Sequence, residues 1–254
     1  MNDNRRTFLK KVSIAGAAAL AAPGLLNAAA KEKEQVLDGY IPKTWLFQGD
    51  SITDGGRSYN LDWNHVYGQD YAYMITGRLN YDYPGNDYKI FNRGISGNTV
   101  NDLAARWQKD TMDIKPDLLS ILVGINDVYA VVVKGEKITA DDFRNSYDAL
   151  LSQTTQALPE VKLVICEPFI LPVGMVKNNP VPWTTEVQKR QPIVKELATK
   201  YNAVFVPLQE AFDKAATKAP ADHWIWDGIH PMPAGHELIA REWLKIVKKS
   251  YKIT

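Results

Sequence analysis

Five short apolar runs punctuate the chain: TWLFQ (44–48), YKIFNR (88–93), LLSILV (118–123), KLVICE (162–167) and AVFVPL (203–208). Each is rich in Val, Ile, Leu or Phe and reads as continuous rather than alternating, the pattern of a strand buried on both faces. Between them, apolar residues return at helical spacing. Residues 67–80 carry Tyr71, Ile75 and Leu79 four apart. Residues 98–113 follow Asn98, which we take as an N-cap. Residues 140–157 follow Thr139 and open on Asp141-Asp142, which complement the positive end of the helix dipole. Residues 183–201 form a fourth helix, and Pro192 is expected to kink or split it, because proline lacks the N–H and crowds the preceding turn. Residues 233–249 begin at Pro233 and end in Lys248-Lys249, a match to the dipole at both ends. Strands alternating with helices predict a five-stranded parallel sheet between helical layers, a three-layer α/β/α sandwich. In such sheets ligands bind beyond the carboxyl ends of the strands.

The first 30 residues break this pattern. NRRTFLKK is basic, Val12–Leu26 is apolar, and Ala28-Ala29-Ala30 offers small residues for cleavage, which together predict an export signal. Pro23-Gly24 interrupts the run, which is too short to span a bilayer well, since spanning takes about 20 residues. Arg5-Arg6 followed by Phe8-Leu9-Lys10 resembles a twin-arginine signal, although Asn4 stands where Ser or Thr is usual. The expected product is a periplasmic or secreted protein in which residues 31–254 form one domain. Losing Arg5, Arg6, Lys10, Lys11 and Asp3 changes the formal charge from +1 to −2, which gives no basis for a nucleic-acid partner. Composition is that of an ordinary soluble domain, 45% hydrophobic and 23% charged. The one cysteine, Cys166, sits in an apolar strand run and reads as core; no internal disulfide is possible. No cysteine stands directly after the apolar signal run, so lipid anchoring through a cysteine is not expected.

Four polar segments fall at the predicted carboxyl ends of strands or in the last loop. GDSIT (49–53) exposes Ser51 beside Asp50, either as a bland turn or as a nucleophile on the sheet rim. Its residue two after the serine is Thr53, so it is not the G-x-S-x-G elbow. NRGISGNTV (92–100) is a glycine-bearing turn into a helix, and its spacing fits neither phosphate-binding fingerprint. VGINDV (123–128) presents the Asn126 amide, as a turn residue or as a donor to a reacting group. WDGIHP (226–231) sets Asp227 three residues before His230, a spacing that lets the carboxylate hold the imidazole Nδ1–H and leave Nε2 as a base. The same pair could ligate a metal, but His65, His223 and His236 supply no persuasive third ligand. Tyr59, Trp63, Trp224 and Trp226 cluster near the expected mouth, where rings can stack on sugars or close loops against the core.

Taken together and in this order, GDS, ISGNT, GIND and DGIHP resemble the blocks of the SGNH hydrolases, also called the GDSL esterase/lipase family. The resemblance runs from about Trp45 to Trp243. RLN, ARW and LPVG resemble its bacterial lysophospholipase-like or acetylesterase-like branch. The resemblance implies a flavodoxin-like sheet and a serine esterase that needs no metal or cofactor. Ser51 would be the nucleophile, His230 the base and Asp227 its orienter. The backbone N–H groups of Ser51 and Gly97 and the Asn126 amide would form the oxyanion hole. Asp50 is read as a hydrogen-bonder of the turn. With no apolar lid insertion and with aromatics at the mouth, the expected substrate is an O-acetyl ester on carbohydrate. A lysophospholipid or other short-chain ester is the alternative, and a non-catalytic glycan-binding module a further one.

Overall fold

The computed structural model describes residues 42–60 and 65–251. The export-signal segment and Trp63 lie outside them. Five strands, β1 (Thr44–Gly49), β2 (Lys89–Asn92), β3 (Leu118–Leu122), β4 (Lys162–Cys166) and β5 (Val204–Val206), form one parallel sheet in the order β2-β1-β3-β4-β5. Alternate side chains of each strand enter different cores. Trp45 and Phe47 face one core with Leu118, Leu122, Val164, Cys166 and Val206. Leu46 faces the other with Leu119, Ile121, Leu163 and Ile165. Both cores are apolar, which is why the strands read as continuous runs.

The first core is closed by α2 (Tyr71–Asp82), α8 (Leu208–Ala216) and α10 (Pro233–Tyr251). Trp243 of α10 packs on Trp45 and Phe47; its indole N–H donates to Ser120 Oγ at 3.0 Å and that of Trp45 to Pro42 O at 2.6 Å, so both polar atoms in that contact are satisfied. The second core is closed by α3 (Val100–Trp107), α5 (Ala140–Ala157) and the C-terminal part of α7 (Pro180–Lys200). Thr139 caps α5 in a reciprocal box with Asp142, as the sequence predicts. α3 is capped by Thr99 rather than Asn98, again in a box, and continues into a π-helical turn at Gln108–Met112. α7 runs unbroken through Pro192. That proline and Gln188, whose carbonyl it frees, are exposed, so water can satisfy the lost bond, while Val187, Arg190, Ile193, Val194 and Leu197 bury the opposite face. Among the described residues no helix is long and apolar enough to cross a membrane.

The chain leaves β1 for β2 on one side and later returns to β3 on the other. The crevice where strand order reverses therefore opens beyond Gly49 and Leu122. Two short helices stand there: α1 (Ser51–Asp54) directly after β1, and α4 (Ile125–Val132) directly after β3. Both GDSIT and GIND, which read as loops in the sequence, are thus helix N-termini. The remaining helices are α6 (Gly174–Asn178) and α9 (Ala221–Trp224).

Candidate active site

The turn out of β1 is held by its own sequence. A Cβ on Gly49 would lie 2.3 Å from the Leu122 carbonyl oxygen, so only glycine lets β1 end against β3 here. Asp50 caps α1 by accepting the Ile52 N–H on Oδ1 at 3.0 Å. Its other oxygen is buried and has no hydrogen-bond partner, and burial pushes the Asp50 carboxyl up to about 7. Ser51 follows as the first residue of α1, its side chain at the crevice.

The loop 226–230 is pinched by an isolated antiparallel bridge, Ile225 to Pro231. Asp227 Oδ1 accepts the N–H groups of Ile229 (3.0 Å) and His230 (2.8 Å), and Oδ2 pairs with His230 Nδ1 at 2.6 Å. His230 Nε2 lies 2.8 Å from Ser51 Oγ. The three groups predicted from 179 residues apart in sequence therefore form one continuous relay. Electrostatics agree with it. The Asp227 hydrogen bond raises the imidazole above its usual value against a smaller opposing effect of burial. Burial opposes ionisation of Asp227, but the bonds from His230 and Ile229 outweigh it and hold the carboxyl low.

Gly97 and Asn126 border the same crevice from β2 and β3. Gly97 has φ +85°, a left-handed backbone that glycine adopts without strain, and space for a Cβ is open there, so conformation and not crowding is what the position requires. Asn126 stands in the first turn of α4, and its Nδ2 donates to Asn98 O at 3.2 Å. An amide nitrogen carries two N–H groups, so one remains. Among the described residues, the Ser51 and Gly97 backbone N–H groups donate to no protein acceptor outside regular secondary structure.

Four residues that sequence reasoning passed over hold this arrangement together. Arg106 of α3 donates from Nε to Asn98 Oδ1 (2.7 Å), from Nη1 to Arg93 O (2.8 Å) and Asp110 Oδ2 (3.0 Å), and from Nη2 to Gly49 O (3.3 Å). It thus ties the turn after β1 to the loop after β2. Asp54 Oδ2 accepts the backbone N–H and hydroxyl of Ser96 (3.0 and 2.7 Å), and Arg57 Nε donates to Gly94 O at 2.9 Å. Asp127, buried and pushed up to about 6 by that burial, accepts the Val100 N–H at 3.3 Å and ties the start of α3 to α4. The acid after GDSIT and the arginine of ARW were visible as letters. About half of their partners are backbone atoms, which leave no mark in a sequence.

The aromatic residues separate. Trp226 is 61% exposed and lies nearly parallel to the His230 ring, 6.1 Å between centroids and 23° between planes. Trp224 packs against the core beneath, with its indole nitrogen buried. Tyr59 is exposed, donates its hydroxyl to Asp54 Oδ2 at 2.9 Å and carries the Arg57 guanidinium over its ring. Cys166 is buried at the end of β4, and burial pushes its thiol up to about 12, which suits core and not chemistry. Among the described residues no group of three His, Cys, Asp or Glu side chains could hold a metal ion.

Residues 47–238 match the family model described as GDSL-like Lipase/Acylhydrolase. An acetylxylan esterase from Geobacillus stearothermophilus is 34% identical over 206 residues, covering 79% of this chain and 91% of that protein. The crystal structure of an acetylxylan esterase from the same organism superposes with a TM-score of 0.71 at 32% identity, over 81% of this chain and 94% of that one. A structure from Parabacteroides merdae described as a GDSL-like lipase superposes with a TM-score of 0.77 at 37% identity, over 80% and 94%.

Proposed function

We propose that this chain, which belongs to the GDSL-like lipase/acylhydrolase (SGNH) family and is a carboxylic ester hydrolase, removes O-acetyl groups from carbohydrate by way of Ser51, His230 and Asp227. The observation that carries the proposal is the relay from Ser51 Oγ to His230 Nε2 at 2.8 Å and from His230 Nδ1 to Asp227 Oδ2 at 2.6 Å. The similarity to an acetylxylan esterase supports the choice of acyl group and of substrate class.

In this mechanism Ser51 Oγ attacks the acetyl carbonyl carbon as its proton passes to His230 Nε2. Asp227 keeps the second ring proton on Nδ1 and stabilises the imidazolium; it does not take the proton. The developing oxyanion is met by the N–H groups of Ser51 and Gly97 and by the remaining N–H of Asn126. Loss of one such donor typically raises the barrier by about 3–4 kcal/mol. His230 then gives its proton to the sugar oxygen as the C–O bond breaks, leaving acetyl-Ser51. Water, deprotonated by His230, attacks the acetyl carbon; Ser51 recovers its proton and acetate departs. The exposed face of Trp226, beside His230, offers a stacking platform for the sugar that carries the ester. The proposal also holds that the enzyme works outside the cytoplasm, on the strength of the basic and apolar segment before residue 31.

The test is a matched panel: acetylated oligosaccharides, nitrophenyl acetate, nitrophenyl octanoate and a lysophospholipid. Acetyl esters should give the highest kcat/KM, and acetylated oligosaccharides should exceed nitrophenyl acetate. Preference for octanoyl or lysophospholipid would overturn the acetyl-glycan reading. No turnover of any ester would overturn the catalytic one.

A further inference from the structure

Beside the loop that carries Gly97 lies a second cavity, of about 480 Å³, on the β2 edge of the sheet. Its lining brings together Arg57, Arg93 and Lys109 with the aromatic rings of Tyr59, Tyr67 and Phe91. Two acids approach this group, and both are committed. Asp54 faces Arg57 at 3.9 Å, and Asp110 is held by Arg106 at 3.0 Å. Among the described residues, Arg93 has no carboxylate within ion-pair distance. Its contacts are a 3.3 Å bond from Nη1 to Asn92 O and the face of Phe91, 5.5 Å from the guanidinium. Yet it is half-buried, near both Arg57 and Arg106, and burial and those cations act against its charge more strongly than Asp110 supports it. A partly desolvated guanidinium with no carboxylate of its own, crowded by like charges and only partly offset by the more distant Asp110, is costly to keep. It is the arrangement expected where an anion completes the site.

We propose that this cavity is a subsite for the carboxylate of an acidic sugar, a uronate, on the same glycan chain whose acetyl group lies at Ser51. The guanidinium fork of Arg93 suits a planar carboxylate, and aromatic walls suit the C–H face of a sugar ring. Position fits too. Arg93 precedes Gly97 by four residues, which span at most about 14 Å even when extended, so the subsite is within reach of a neighbouring sugar. Arg57 links the two regions, since it lines the cavity and donates to Gly94 O at 2.9 Å. The inference rests on the reading of the enzyme as a glycan deacetylase and names its substrate class more closely.

Two measurements test it. In the first, kcat/KM is compared for acetylated oligosaccharides that differ in one neighbouring sugar, glucose or glucuronate. The acidic member should be favoured by roughly tenfold, about 1.4 kcal/mol. The ratio should fall with added salt. In Arg93→Gln it should collapse toward unity, and in Arg93→Lys, which keeps charge but loses the fork, it should be intermediate. A general loss of activity cancels in the ratio. In the second, ligand-observed NMR on the full enzyme compares sodium glucuronate, neutral glucuronamide and inorganic phosphate. Glucuronate should bind, glucuronamide should not, and Arg93→Gln should abolish the signal. If Arg93→Gln does not fold, Lys109→Gln and Arg93→Lys should each weaken it. Equal binding of glucuronamide, or phosphate binding as strong as glucuronate, would overturn the proposal. Glucuronate binding without any oligosaccharide deacetylation would fault the substrate reading and leave the subsite standing. Deacetylation with a ratio of one and no glucuronate signal would fault the subsite alone.

Discussion

Arg106→Ala separates a scaffold that merely holds the crevice shut from one that aims its hydrogen-bond donors. The side chain makes four bonds, to Asn98 Oδ1, Arg93 O, Asp110 Oδ2 and Gly49 O. Arg106 and Asp110 are each only 15% exposed at the side chain, so removing the cation strands Asp110 in a poorly hydrated place. Breaking a buried pair of this kind costs about 3 kcal/mol or more. For a protein of this size that is a fall in Tm of about 6–12 °C. Gly49 O keeps a second donor, Ile95 N at 3.1 Å, but the Asn98 side chain does not. Asn98 in turn is what the Asn126 amide rests on, through Asn98 O at 3.2 Å. Misplacing an oxyanion donor by about 1 Å costs about 10² in rate, so kcat on nitrophenyl acetate should drop about 100-fold with a much smaller change in KM. Asn126→Ala alone should lower kcat by about 10²–10³. If Arg106 acts through Asn98 and Asn126, the double variant Arg106→Ala/Asn126→Ala should be scarcely slower than the worse single one. Arg106→Lys, which keeps the charge at Asp110 but cannot reach four acceptors, should fall between. Stopped assays below the lowered Tm read all four proteins. A folded Arg106→Ala with undiminished kcat, or full additivity in the double variant, would refute the reasoning.

Other consequences concern pH and the substrate platform. His230 must be neutral to accept a proton, and its hydrogen bond to Asp227 raises its pKa, so kcat/KM should fall on the acid side with a midpoint above the usual imidazole value. In Asp227→Asn that limb should move to lower pH while kcat drops by about 10⁴; an unmoved limb would assign it to another group. Asp50 is pushed up to about 7 in the folded protein, against about 3.9 when unfolded. Its contribution to stability is therefore lost as pH rises across that interval, and Asp50→Asn should gain in Tm over the wild type from pH 4 to pH 7. A difference in Tm that does not change with pH would show that Asp50 is not held protonated. Trp226→Ala should raise KM for acetylated oligosaccharides by about 2–10-fold, the worth of one aromatic contact, with little change in Tm because the ring is exposed. An unchanged KM would remove Trp226 from the substrate path.

The sheet was legible because burial on both faces writes itself as unbroken apolar runs, and all five strands lie within a residue or two of where those runs predict. β5 is shorter, Val204–Val206, since Pro207 has no N–H to continue the ladder. The short helices α1, α4, α6, α8 and α9 were not foreseen. α1 has four residues, too few to show a period, and α4 is apolar on most of its surface, so INDVYAVV shows no polar stripe. The relay residues stood out because Asp227 and His230 share one turn and Ser51 sits in a recognisable block. Arg106, Asp54 and Arg57 did not. They act on Gly49, Arg93, Gly94 and Ser96 largely through main-chain atoms, and such contacts depend on the topology rather than on any local pattern.

The claim on which the rest depends is that Ser51 carries the acetyl group between sugar and water. Acid quenching during turnover of nitrophenyl acetate, followed by peptide mass spectrometry, reads this directly. A single acetyl adduct on the peptide containing Ser51, absent in Ser51→Ala and suppressed in His230→Ala, is the predicted result. An acetyl group on any other residue, or sustained hydrolysis by a folded Ser51→Ala, would contradict it.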